Sequence, residues 1–241
     1  AVPALATLLA DEHLYQAACD VLEAMPFAEA GEGLRASLKT AAPKANAGAI
    51  HALGERQDRA ALPDLAVLLT DPDPLLAAYS ANAIGRIGGN EAVIALRKAL
   101  PSATGPIRSA IVDALLQCAV QWLAAGDRAS ATGIFESFNQ PQENEAVRTA
   151  ASAGLIRAGD EQELALVTAG IKSSDPARQI AALQLARDVE GPGATGTFTS
   201  LLLEAPPALQ MALLGLLQQR GDVIAAPAVL AAARSPDVYV R

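Results

Sequence analysis

Asp71-Pro-Asp-Pro-Leu-Leu-Ala-Ala-Tyr-Ser-Ala-Asn-Ala-Ile-Gly-Arg-Ile-Gly88 is one helix with both of its ends marked. It opens on aspartates that can accept hydrogen bonds from the free amides of a first helical turn. Prolines sit where a missing N–H costs nothing. Leu76, Ala83, Ile84 and Ile87 then recur at helical spacing. The stretch closes on glycine, the residue that best tolerates the left-handed conformation just past a helix end.

The closing phrase recurs along the chain. Stacking Gly85-Arg86-Ile87-Gly88, Ala125-Gly126-Asp127, Arg157-Ala158-Gly159-Asp160, Asp188-Val189-Glu190-Gly191 and Gln219-Arg220-Gly221-Asp222 aligns five glycines, spaced 38, 33, 32 and 30 residues. Gln57 occupies the same slot 31 residues before Gly88. A second set of breaks falls midway through the units, at Ala42-Pro43, Asp71-Pro72-Asp73-Pro74, Thr104-Gly105-Pro106, Ser174-Asp175-Pro176, Pro206-Pro207 and Ser235-Pro236-Asp237. Each unit therefore reads as helix, tight turn, helix, short link. The units are 1–26, 27–57, 58–88, 89–126, 127–159, 160–191, 192–221 and a partial one over 222–241. First helices carry apolar residues at helical spacing (Leu62, Leu65, Leu68, Leu69; Leu164, Val167, Ile171), and so do second helices (Val147, Ala151, Gly154, Leu155). A lone hairpin cannot bury both faces, so neighbours must stack. The expectation is an all-α, right-handed α-α superhelix of about seven to eight antiparallel helix pairs, one continuous domain over 1–241.

Composition agrees. Of 241 residues, 55 are alanine and 33 leucine, 51% are apolar and only 3% aromatic, which suits helices packed closely through small side chains. The net charge is −8, divided evenly between the two halves, without a basic tail. Such a surface repels phosphate backbones, so no nucleic-acid partner is expected. The apolar stretches are broken by charge or proline, as Glu204, Pro206 and Pro207 break 201–217, and no membrane insertion is expected. Cys19 and Cys118 fall in helical patterns and read as buried structural thiols. The nearly all-apolar helices at 2–9 and 223–233, with a second helix just opening at Ser235–Arg241, read as a segment cut from a longer array.

The phrases at 71–88 and Glu145-Ala-Val-Arg-Thr-Ala-Ala-Ser-Ala-Gly-Leu155 resemble the HEAT repeat family, of the short bacterial sort. That pattern runs Asp-Pro, Val-Arg, paired alanines, then Leu-Gly-x-Ile-Gly. Arg108, Arg148 and Arg241 keep its arginine, while Ala77 replaces it. The resemblance implies protein–protein interaction without chemistry of its own. The chain is also similar to helical-repeat segments of large exported bacterial proteins, although its compartment is not written in the sequence. Two other resemblances imply different functions: HEAT-type bilin lyases, which cradle a tetrapyrrole, and HEAT-like alkylbase glycosylases, which need a basic concave face.

No catalytic or metal-ligating constellation stands out. His13 and His51 lack a second His or Cys at ligand spacing, and no cofactor, metal or enzymatic activity is expected. Stepping from Asn82 and Arg86 by one unit gives two outward stripes: His51 and Glu55, Asp113 and Gln117, Arg157, Gln184 and Asp188, and Gln219. In a stacked array these line the concave wall and form a candidate surface for a protein or peptide. The second helix of 89–126 is overlong and carries the sole tryptophan, Trp122, ahead of Phe135 and Phe138. These aromatics fill a gap between unequal helices or project as a lip that anchors a partner.

Overall fold

A computed structural model describes residues 2–11, 13–39, 43–158, 163–189 and 192–241. Among them are fifteen α-helices and no strand. They alternate as first and second helices of consecutive pairs: α1 (Val2–Leu8) with α2 (Tyr15–Ala24), α3 (Ala28–Ser37) with α4 (Pro43–Glu55), α5 (Leu62–Leu68) with α6 (Pro74–Ile87), and α7 (Gly89–Ala99) with α8 (Gly105–Ala124). The series continues with α9 (Arg128–Phe138) and α10 (Glu145–Ala158), α11 (Glu163–Ile171) and α12 (Pro176–Leu185), α13 (Pro192–Glu204) and α14 (Pro207–Arg220), then α15 (Ala226–Ala232). The residues fall into two compact units, 1–134 and 135–241.

The helix ends follow the sequence markers. Leu75 N–H donates to Asp73 Oδ1 at 2.9 Å, Ala177 N–H to Asp175 Oδ1 at 3.1 Å and Val147 N–H to Asn144 Oδ1 at 2.9 Å, so each side chain satisfies a free first-turn amide. Gly88, Gly126 and Gly221 have φ of 67°, 86° and 66°. Gln57, in the aligned slot, has φ of 50° and is the one non-glycine with positive φ among the described residues. The other aligned glycines, Gly159 and Gly191, and Ala42 of the Ala42-Pro43 break lie outside the described residues. One boundary differs from expectation: 223–233 is not a single helix but a 3₁₀ turn, Val223–Ala225, followed by α15. Arg59–Ala61 makes the same turn before α5, and both helices carry proline near their start.

In the first unit the second helices α4, α6 and α8 pack successively on one another, with α3, α5 and α7 beside them. Their contact needs positions without side chains. A Cβ on Gly54 would sit 2.9 Å from Ala83 Cα, and one on Gly85 would sit 2.8 Å from Ala114 Cα. Both glycines and both alanines are 31 residues apart, so the repeat period is also a period of backbone contact. Leu53, Leu65, Ile84, Leu96, Ile111 and Leu115 fill the space alongside. The 20-residue α8 has the length and composition of a membrane span, contrary to the broken run expected, yet its Ile111, Val112, Leu115, Cys118 and Ala119 are buried in this core. Cys19 and Cys118 are both free and buried, and burial pushes each thiol up to about 11.

The second unit buries Ile156, Val167, Ile171, Leu185, Phe198, Leu213 and Leu217 in one cluster. Ile156, rather than the expected Leu155, is the fully inward residue at the end of α10. A Cβ on Gly154 would overlap the Phe135 ring, and one on Gly170 would lie 2.5 Å from Ala182 Cβ.

A second recurring device closes the joints between pairs. The last C=O groups of a helix have no intrahelical donor. Arg56, at the end of α4, donates through one nitrogen to Leu22, Glu23 and Met25 carbonyls and through the other to Phe27 O at 2.9 Å. Arg220, at the end of α14, donates to Ala186 O at 2.9 Å, Arg187 O at 3.2 Å and Val189 O at 2.7 Å. The separations are 34, 33 and 31 residues in both cases. Where Ala125 occupies this slot, Gln121 of the long α8 reaches Gly85 O at 3.0 Å and Arg86 O at 3.2 Å instead. The Arg220 guanidinium also lies 5.5 Å from the Phe198 ring centroid and 3.2 Å from both Thr195 Oγ1 and Asp222 Oδ2. The Thr195 hydroxyl, with Arg220 assisting, holds the Asp222 carboxyl below the usual carboxylate range.

Two predictions follow from this packing. Gly85→Ala is expected to destabilise the protein by about 1–3 kcal/mol through overpacking, whereas Gly133→Ala on α9, where a Cβ meets nothing within 4 Å, is expected to stabilise it by about 0.5–1 kcal/mol. Urea unfolding of both variants measures the contrast. For the joint, Arg220→Met is expected to cost about 2–3 kcal/mol, the worth of hydrogen bonds from a charged donor. Because the folded state lowers the Asp222 pKa, its contribution is present above the ordinary carboxylate range and is lost as pH falls through the folded value. Thermal unfolding of Asp222→Asn should therefore depend less steeply on pH below about 5 than that of the parent.

Candidate functional site

In the first unit the stripe residues lie on the outward side of α4, α6 and α8, and His51, Glu55, Asn82, Asp113 and Gln117 are exposed. Three of them are brought together: Glu55 pairs with Arg86 across the α4–α6 joint, and His51 Nε2 stands 3.7 Å from Glu55 Oε1. Acid and base thus satisfy one another within the stripe. Toward the N-terminus of α6 the same face continues with Leu75 and Tyr79, 64% and 45% exposed.

The second unit differs. Arg157, Gln184, Asp188 and Gln219 are exposed, and no hydrogen bond ties their side chains to another described residue. Gln184 and Gln219 share the wall of a hollow of 310 Å³ between α12 and α14, floored by Leu183, Leu216 and Gly215. A second hollow, of 590 Å³, lies between α10 and α12 along Ala146, Thr149 and Ala150. Ile180 and Gln184 belong to both, so the two hollows lie side by side across α12. Arg157 and Asp188 lie off this trough. Ile180, Met211, Arg187 and Glu145, which complete its rim, lie outside the two stripes read from the sequence. The signal was present, since Ile180 precedes Gln184 by one helical turn and Met211 precedes Gln219 by two.

The aromatic residues divide. Phe135 and Phe138 are buried, 1% and 4% exposed, so they do not belong to a projecting lip. Phe135 fills the space that Gly154 leaves open. Trp122 is half-buried and lines a hollow of 500 Å³ with Leu62, Gly88, Gly89 and Asn90, among the links of the first unit. Among the described residues no group of three or more His, Cys, Asp or Glu side chains is disposed to hold a metal ion.

Comparison with known proteins agrees with this architecture. Residues 31–116 match the family model of HEAT repeats. No curated protein matches the chain in sequence. Among solved structures, the complex of CpcE and CpcF of phycocyanin lyase from Nostoc sp. PCC7120 is similar over 95% of this chain and 92% of the other, at 19% identity and a TM-score of 0.50. Human deoxyhypusine hydroxylase in complex with glycerol aligns over 100% of this chain and 92% of its own, at 17% identity and a TM-score of 0.46. A structure of the interaction between cadherin and β-catenin aligns over 96% of this chain and 55% of its own, at 14% identity and a TM-score of 0.42. The matched stretch runs from α3 into α8, and helical pairs continue on either side of it.

Proposed function

We propose that this chain is a non-enzymatic scaffold that binds a protein partner on the outward face of its second helices. One observation carries the reading: the adjoining hollows across α10, α12 and α14, walled by the exposed amides of Gln184 and Gln219, which no described residue engages. An amide offers both donor and acceptor, so a polar surface left uncommitted in this way suits an incoming chain. Both thiols are buried, with raised pKa values that disfavour the nucleophilic thiolate, and His51 faces Glu55. An alternative, tetrapyrrole binding, draws on the likeness to the phycocyanin lyase complex. Visible absorbance that co-purifies with the protein would favour it.

The expected result is that photo-crosslinkers placed at Gln184 and Gln219 capture a defined protein, whereas crosslinkers at Val67 and Lys98 on first helices do not. With that partner in hand, Arg157→Glu should change the association rate more than Arg86→Glu, because Arg86 is already paired with Glu55. Equal capture from first-helix positions would overturn the reading.

A further inference from the structure

The trough of the second unit has a geometry that selects among partner conformations. Its two hollows flank α12 and are therefore about one interhelical spacing apart, roughly 8–10 Å. A polyproline-II segment crossing the helices places side chains i and i+3 on one face about 9.3 Å apart. An α-helix lying across them would also repeat on one face, at i and i+7, about 10.5 Å apart. Its backbone, however, is internally satisfied and would offer Gln184 and Gln219 no main-chain partner. Those two amides match the unpaired N–H and C=O groups of an extended backbone. Apolar surface for the two inward side chains is present, with Ile180 36% and Met211 49% exposed above the floor.

Charge fixes the ends. Among the described residues, Arg187 is the one charged residue lining the hollow between α12 and α14, and Glu145 the one lining the hollow between α10 and α12. Both are exposed. An occupant therefore meets a cation in the hollow between α12 and α14 and an anion in the hollow between α10 and α12.

Resting on the interaction reading above, we infer that this trough takes an extended protein segment. The segment carries apolar side chains at i and i+3, an acidic residue beside the one nearer α14 and a basic residue beside the one nearer α10. Either chain direction satisfies this arrangement, so the motif reads Lys/Arg-Φ-x-x-Φ-Asp/Glu or its reverse, where Φ is an apolar residue.

The test uses the full chain and short fluorescein-labelled peptides with Gly-Ser flanks around Lys-Leu-Pro-Ser-Leu-Glu, Glu-Leu-Pro-Ser-Leu-Lys, Lys-Leu-Pro-Ser-Leu-Lys and Glu-Leu-Pro-Ser-Leu-Glu, read by fluorescence anisotropy. At least one opposite-charge peptide should bind about 3- to 5-fold tighter than either same-charge peptide, the scale of a partly exposed charge pair. Arg187→Glu makes both ends acidic and should move the preference to the Lys/Lys peptide. Glu145→Lys should move it to the Glu/Glu peptide. Inserting one residue between the leucines should weaken binding in the parent. Circular dichroism confirms that both variants keep their helices. Equal binding of all four peptides, no change of preference in Arg187→Glu, or tighter binding of an amphipathic helical peptide with leucines seven apart would each overturn the inference. Absence of peptide binding would also overturn it, and would leave the scaffold reading to be decided by the crosslinks at Gln184 and Gln219.

Discussion

Backbone-to-backbone contact between successive second helices is the constraint on which the rest of the architecture depends. α6 touches α4 through Gly54 and Ala83, and α8 touches α6 through Gly85 and Ala114, at distances that leave no room for a side chain. Helices held this closely gain dispersion contacts along their whole length, and the gain is collective rather than due to any one residue. The alanine excess of the chain has the same origin. Small residues on the contact side let the helices approach, while leucine and isoleucine on the flanks fill the wedge where first helices join. Residues at these contacts are consequently unavailable for binding, and the opposite side of each second helix is what a partner can meet.

Close approach has an electrostatic consequence at the helix ends. Each second helix terminates beside the next, bringing carbonyl groups without donors into a crowded joint. Arg56 and Arg220 resolve this with one side chain serving three carbonyls of the preceding pair. A guanidinium suits the task because its donors are fixed in a fork and its charge complements the negative end of a helix. Arg220 is further held by Asp222 and the Phe198 ring, so its joint couples the end of α14 to α13 as well as to the chain after α12. Gln121 does similar work without charge, and it can do so because the extra turns of α8 bring it level with Gly85.

Much of this was legible in the sequence because it is local. Proline and aspartate at 71–74 or 174–176 specify a helix start through bonds made within three residues, and a slot requiring positive φ shows itself even where glutamine fills it, as at Gln57. The joint arginines were not legible, since nothing within a few residues of Arg56 distinguishes a capping arginine from a solvated one. Its acceptors lie more than thirty residues away. Whether Phe135 and Phe138 fill a gap or project stayed open in the sequence for a related reason. Whether an aromatic residue at a staggered joint projects or fills depends on what faces it, and Gly154 on the neighbouring helix leaves the space. The outward stripes, read from the sequence, are silent about pairing. Glu55 and Arg86 look like two free charges in the sequence and are one ion pair in the structure.

That pairing separates the two units as binding surfaces. A partner approaching α4 and α6 must compete with an acid–base contact already made, and what it gains from a new charge is offset by what it breaks. Across α10, α12 and α14 the exposed amides have no such internal claim among the described residues, and the hollow between α12 and α14 is floored by leucine and glycine, the one between α10 and α12 lined by alanine. Desolvating an amide costs little when an incoming peptide group replaces the water one for one, and a hollow lined by small residues admits a side chain without rearrangement. Two stretches built by the same repeat rule thus differ in what they can offer. The difference comes from a handful of outward residues that the packing leaves free to vary.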